Sequence, residues 1–317
     1  MPHELGLQRL WETFGLVPVE YPATRRLGAS PTDRAADLHA AYADPDIKAI
    51  IASIGGDDQI TVLPHLDADL IRANPKPFFG HSDNTNLLTY LWNLGIVGYY
   101  GGSIMCHFGR PVAMHPATED SLRAALFTSV AHELRESTEY GDVDRDWADS
   151  TTFDSMPPMQ RCAGWSWHNA AQVVEGATWG GNLEILSWLL MADREIRNPT
   201  TYEDMILLIE TSEELPTAIE VYRILRNMGE RGLLRRFGAV LVGRAKAWSF
   251  EHPHTPEEKA VSAQEQREAV LRAMAVYNPE ALLVFDIDFG HTDPQVIVSI
   301  GGRIRVDGPS RRITVRY

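Results

Sequence analysis

Two short apolar runs in the first hundred residues end abruptly in small, turn-forming residues, and helix-like stretches separate them. Ile47 to Ile54 (IKAIIASI) runs into Gly55-Gly56-Asp57-Asp58, and Pro77 to Gly80 runs into His81-Ser82-Asp83-Asn84. Around them, residues 4–14 carry Leu5, Leu7, Leu10, Trp11 and Phe14 close to helical spacing. Residues 31–43 do the same with Ala35, Leu38, Ala41 and Tyr42, after a Pro31-Thr32-Asp33 start. A strong helical pattern spans 85–94 and ends at Gly95, and a short extended run, Leu16 to Tyr21, lies between the first two helices. Strands alternating with helices over short loops predict an α/β layer with a mostly parallel sheet. Reactive groups in such sheets sit at the carboxyl ends of strands.

The texture changes after residue 138. Residues 139–163 are rich in Asp, Ser, Thr, Met and Pro, including Pro157-Pro158, and read as an inter-domain connection. Beyond them, Val173–Thr178, Val296–Ile300 and Ile313–Arg316 read as short antiparallel strands, and Glu184–Met191 and Leu215–Met228 as helices. The expected organisation is a first domain over 1–140, a linker over 141–163 and a mixed α+β domain over 164–317. At 317 residues, 44% hydrophobic and 23% charged, the chain can bury two cores without disulfides. Its two cysteines, Cys106 and Cys162, lack metal-site spacing and read as free thiols in a reducing compartment.

Charge and hydropathy narrow the partners. A net charge of −14 with no long basic cluster argues against duplex nucleic acid, although a small nucleotide-bearing ligand remains compatible. Residues 1–10 do not resemble a signal peptide, and no apolar run is long enough to span a bilayer, so a cytoplasmic protein without a membrane partner is expected. No metal or other cofactor is expected. His132-Glu133 lacks the second histidine of a zinc-binding helix, because position 136 is Glu136.

Four residues or pairs invite a chemical reading, each with a structural alternative. Ser82, on a tight strand-to-helix turn, is either an exposed nucleophile or the N-cap of the following helix. Gly55-Gly56 is either an ordinary strand-end turn or a place where backbone N–H groups approach a developing oxyanion. Glu210 closes the apolar run Met205–Ile209, so it needs a hydrogen-bonding partner such as an imidazole. The nearby Glu213 and Glu214 fit instead the start of a helix beginning at Leu215, where acids favour the dipole. His291, between Gly290 and a turn at the end of another apolar strand, is placed by backbone rather than by a packed face.

Read together, four segments resemble the LD-carboxypeptidase family of serine peptidases. They are Ala49–Asp58 (AIIASIGGDD), Gly80–Thr85 (GHSDNT), Gly180–Leu183 (GGNL) and Gly290–Gln295 (GHTDPQ), with Arg34–Pro45 also matching. The resemblance implies a flavodoxin-like N-terminal domain carrying the serine and a C-terminal domain carrying acid and base, commonly as a homodimer. It implies a triad of Ser82, His291 and Glu210, and an oxyanion hole from the N–H groups of Gly56 and Asp83. The Gly-His-Thr-Asp-Pro-Gln and Gly-Gly-Asp-Asp forms are similar to the microcin C immunity branch, which cleaves a peptidyl (aspartyl) nucleotide. Trp165, Trp167 and Trp179, with Asp57, are then candidates for substrate contact, the tryptophans by stacking on a base or else by packing the core. The alternatives are a murein tetrapeptide carboxypeptidase and a catalytically idle peptide-nucleotide binder. Relatives begin with one more β-strand than this sequence displays, so the first sheet is expected to have a gap and unpaired backbone groups.

Overall fold

A computed structural model describes all residues, 1–317. The first half contains helices α1 (Pro2–Glu12), α2 (Pro31–Ala43), α3 (Ala68–Ala73), α4 (Thr85–Asn93) and α5 (Pro116–Phe127). Its strands are β1 (Ile50–Ile51), β2 (Phe78–Gly80), β3 (Gly98–Tyr100) and β4 (Ala131–Leu134). The second half contains β5 (Glu139–Tyr140), β6 (Gln160–Arg161), β7 (Ser166–His168), β8 (Val173–Asn182), β9 (Met205–Glu210), β10 (Phe237–Gly243), β11 (Leu282–Ile287), β12 (Val298–Ile300), β13 (Arg303–Asp307) and β14 (Arg312–Arg316). Helices α6 (Leu183–Ala192), α7 (Ala218–Glu230) and α8 (Pro256–Tyr277) complete it.

Local chemistry explains most of the boundaries. The Ser30 side chain accepts from the Asp33 N–H at 3.1 Å, so α2 starts with a cap immediately before Pro31. Thr217 with Glu220, and Thr255 with Glu258, form reciprocal capping boxes at the starts of α7 and α8. The helix expected from Leu215 therefore begins three residues later. Leu215 itself has a φ of 50°, outside helical geometry.

The architecture is α/β with two sheets. The smaller has the order β1-β2-β3-β12, parallel through β3, with β12 antiparallel at its far edge. The larger has eight strands in the order β4-β14-β13-β8-β9-β10-β11-β7. Its centre, β8 through β11, is parallel, and every residue of β9 is buried. Antiparallel strands flank it, at β13, β14 and β4 on one side and β7 on the other. The antiparallel pairing expected of Val173–Thr178, Val296–Ile300 and Ile313–Arg316 is present, with β8 and β14 both against β13 and β12 against β3.

Each half of the chain lends a strand to the other half's sheet: β4 joins the large sheet and β12 the small one. A core of 25 buried residues accordingly runs from Phe78 and Tyr100 through Leu87, Leu88 and Leu91 of α4 to Ile206, Leu208 and Val284. At about 1.5–3 kcal/mol per large apolar side chain, this shared core fixes the two sheets against each other. It thereby fixes the carboxyl ends of β2 and β9. Residues 139–163 hold the β5–β6 ribbon and a 3-10 turn (Ser150–Asp154), and Gly141 exchanges hydrogen bonds with Asp293.

The free side of β1 pairs with no strand. A groove of about 1720 Å³ separates it from Leu16–Tyr21, lined there by Leu16, Val17, Val19, Ile50 and Ile51. No helix is long and apolar enough to cross a membrane.

Candidate active site

Ser82 follows β2 at a φ of 62°, a left-handed conformation that costs a non-glycine residue energy. Its backbone N–H donates to the Tyr100 hydroxyl at 3.0 Å. The helix it precedes gets no side-chain cap from it, since α4 starts after Asn84 and has no side-chain cap bond. The cap reading of Ser82 thus has no contact behind it, and the half-buried hydroxyl faces the turn at the end of β1. There Gly55 leaves room that a side chain would fill: a Cβ on it would stand 3.0 Å from Ser82 Cβ and 3.2 Å from Ser82 Oγ. Neither the Gly56 N–H nor the Asp83 N–H is taken by a backbone acceptor. The Asp83 carboxylate ties the two turns together, accepting from the Gln59 N–H at 2.9 Å and from Asn86 Nδ2 at 2.7 Å. Burial pushes that carboxyl above its ordinary range against these bonds. Asp57 is exposed on the rim.

Glu210 ends β9 and is fully buried. Its carboxylate is saturated by three partners. Oε2 faces His291 Nδ1 at 2.7 Å, while Oε1 accepts from Asn182 Nδ2 at 3.1 Å and from the Tyr100 hydroxyl. Tyr100 therefore connects the backbone of Ser82 to the acid. Burial, then the Glu210 charge, hold the Tyr100 phenol well above its ordinary value, so it stays a donor. Gly290 makes the pairing possible: at a φ of 108°, a Cβ there would lie 2.5 Å from Glu210 Oε2. His291 is positioned by this backbone, as its glycine neighbour suggested.

Other charges surround the imidazole. Its Nε2 lies 3.3 Å from Glu213 Oε2, and the ring of His81 lies 5.1 Å away, itself 5.0 Å from that of His107. Burial opposes a charge on His291, but Glu210, Glu213 and Glu184 outweigh it and raise the histidine to about 9. Burial lowers His81 well below the ordinary value and His107 to about 4, so both are neutral. The Cys106 thiol, pushed up to about 12 chiefly by burial, is no competing nucleophile. No cluster of three or more His, Cys, Asp or Glu is placed to hold a metal ion.

The tryptophans divide. Trp179 is fully buried, stacked on Phe237 and edge-on to Tyr202 and Trp92, and leaves no face for a base. Trp165 is buried, donating from Nε1 to Asp288 Oδ2 at 3.0 Å. Trp167 is half-buried on the edge strand β7 and packs against the shared core. Tyr100, Asn182 and Glu213 were missed as site residues. Asn182 lies in the Gly-Gly-Asn-Leu segment, where it also caps α6, so its presence there was a signal; Glu213 was assigned to a helix start it does not occupy.

Comparison with known proteins places the chain in a family. Residues 2–101 match the LD-carboxypeptidase N-terminal domain, and residues 175–306 match the LD-carboxypeptidase C-terminal domain. The microcin C7 self-immunity protein MccF of Escherichia coli is 25% identical over 289 residues, covering 89% of this chain and 78% of that protein. The murein tetrapeptide carboxypeptidase of Pseudomonas aeruginosa is 29% identical over 220 residues, covering 69% of this chain and 62% of that protein. The crystal structure of an MccF-like protein from Streptococcus pneumoniae in complex with AMP superposes with a TM-score of 0.87 at 26% identity, covering 100% of this chain and 93% of that one. With both domains matched in order, the chain belongs to the LD-carboxypeptidase family of serine-type hydrolases.

Proposed function

We propose that the protein is a serine amidase that removes the C-terminal group of a peptidyl (aspartyl) nucleotide through Ser82, His291 and Glu210, conferring immunity to such an antibiotic. The observation that carries this reading is the Glu210–His291 pair at 2.7 Å, joined through the Tyr100 hydroxyl to the backbone of a strained Ser82. With Nδ1 engaged by Glu210, the neutral imidazole accepts the Ser82 proton at Nε2 as Oγ attacks the amide carbonyl. The N–H groups of Gly56 and Asp83 receive the developing oxyanion. Protonated Nε2 then delivers its proton to the leaving nitrogen, and water, deprotonated by the same nitrogen, releases the acyl group from Ser82. Glu210 fixes the tautomer and balances the transient positive charge.

The nucleotide reading draws on the immunity protein and on the AMP complex among the relatives. The burial of Trp165 and Trp179 favours a second reading, a murein tetrapeptide carboxypeptidase, because these two rings provide no stacking platform at the cleft. The two are separated by incubating the protein with a non-hydrolysed-elsewhere aspartyl-adenylate sulfamide or phosphoramidate and with a murein tetrapeptide, followed by mass spectrometry. Serine-dependent cleavage of the nucleotide is the expected result. Cleavage of the tetrapeptide alone moves the enzyme to cell-wall turnover, and tight binding of the nucleotide without turnover makes it a binding protein. A small substrate and a homodimer in the cytoplasm complete the proposal.

A further inference from the structure

Glu213 stands where the proposed reaction has no use for a carboxylate. Glu210 occupies His291 Nδ1, so Nε2 is the nitrogen that must meet Ser82, yet Nε2 faces Glu213 Oε2 at 3.3 Å. Glu213 is 56% exposed in its side chain, and His291 is its one ionic or hydrogen-bonded partner. The loop that carries it is firmly anchored on both sides. The N–H and hydroxyl of Ser212 donate to Glu184 Oε1 at 2.8 and 2.7 Å, and Thr211 and Pro216 are both bound by buried Gln266. The backbone is thus fixed while the Glu213 side chain is free to turn toward the cleft.

We infer that Glu213 is a specificity-determining carboxylate that recognises an ammonium group on the acyl part of the substrate and, in doing so, releases His291 Nε2 to Ser82. This rests on the serine-hydrolase reading above. Two carboxylates on one imidazole hold it protonated, which is the wrong state for a base. A substrate ammonium that pairs with Glu213 removes one of them, and the imidazolium then loses its proton to solvent. An acyl group without an ammonium leaves Glu213 on His291 and is processed slowly. Both an aspartyl α-amine and the side-chain amine of a murein diamino acid have the required chemistry.

The groups facing His291 bear on this switch from every side. Glu210 comes from β9, Glu184 from α6, and neutral His81 and His107 from the turn after β2 and the turn after β3. Asp144, paired with Lys246 at 2.6 Å, feels both His291 and Glu213. Lys246 is therefore already engaged by Asp144, which leaves Glu213 as the carboxylate available to an incoming cation.

The test compares wild type with Glu213→Gln on one cleavable substrate and on its N-acetylated counterpart, across pH 5 to 10. Wild type is expected to favour the free amine by about tenfold or more in kcat/KM, the ratio that one pH unit of differential interaction produces. Glu213→Gln should lose that preference, gain rate on the acetylated substrate, and move the acid limb of its profile down by about one pH unit. An unchanged preference and an unchanged limb in an active Glu213→Gln enzyme would overturn the inference while leaving the hydrolase reading intact. Should neither substrate be cut by wild type, the hydrolase reading falls. NMR titration of the His291 ring in wild type and Glu213→Gln then decides the contact itself, an unchanged midpoint overturning it and a lowered one supporting it.

Discussion

The proposed acid, Glu210, and the proposed nucleophile, Ser82, are built in opposite ways. Glu210 is fully buried at the end of a fully buried strand, and three side chains converge on its two oxygens. Ser82 is half-buried on a strained turn, its N–H donating to the Tyr100 hydroxyl and its carbonyl accepting from the Thr85 N–H, with its side-chain hydroxyl uncommitted. A buried carboxylate must be satisfied or it destabilises the fold, whereas a nucleophile that is satisfied in the resting state is less available to a substrate. In the proposed mechanism the large sheet therefore provides a rigid acid–base side, and the small sheet provides the strained side that carries Ser82.

The sharpest way to break this comparison is to remove the group between the two. His291→Ala should lower kcat/KM by about 10⁴-fold or more, measured on whichever amide the wild type cleaves. Glu210→Gln should lose about 10² to 10⁴-fold, and it also tests the rigid side through pH. In wild type, His291 has its folded value raised to about 9 from an unfolded 6.5. The stabilisation from that shift is fully present below pH 6.5 and is lost as pH rises through about 9. Urea midpoints from pH 6 to 10 should therefore fall in wild type and fall much less in Glu210→Gln, where only Glu213 and Glu184 still oppose the effect of burial.

Gly290→Ala sharpens the comparison on the acid side. The new Cβ would meet Glu210 Oε2 at a φ of 108°, so a loss of about 1–3 kcal/mol in denaturant stability is expected, together with reduced turnover. The smallest effect lies on the nucleophile side and has the opposite sign. Ser82→Gly relieves the left-handed strain, so its melting temperature should rise, by an amount corresponding to about 0.5–1 kcal/mol, while activity is lost. Equal destabilisation by both glycine-site changes would erase the distinction drawn between the two sides.

What could be read in the sequence follows the same division. Ser82 and His291, the proposed nucleophile and base, were legible because each closely follows a glycine at the end of an apolar run, Gly80 two residues before Ser82 and Gly290 directly before His291, a local signal of backbone-set placement. Glu210 was legible because a carboxylate closing MILLI has nowhere to go without a partner. Tyr100 was not, since a tyrosine at a strand end looks like core, and its partners Ser82 and Glu210 are 18 and 110 residues away. Glu213 was hidden by its own neighbourhood, where four polar residues before a helix look like dipole compensation; the Thr217 cap places the helix start beyond them. The exchange of β4 and β12 between sheets left no trace, because alternation reports that a strand is half-buried but not which sheet buries it. Trp179 drew attention by adjacency to the Gly-Gly-Asn-Leu segment, but successive strand residues point to opposite faces, and its ring enters the core.

The central claim is that Ser82 is the nucleophile, and the most direct measurement is the hydrolysis rate of Ser82→Ala beside wild type, read by mass spectrometry at equal folded concentration. The account predicts a loss of at least about 10³-fold with a melting temperature close to wild type, since Ala at that φ is strained much as Ser is. A folded Ser82→Ala protein that cleaves within tenfold of the wild-type rate would contradict it.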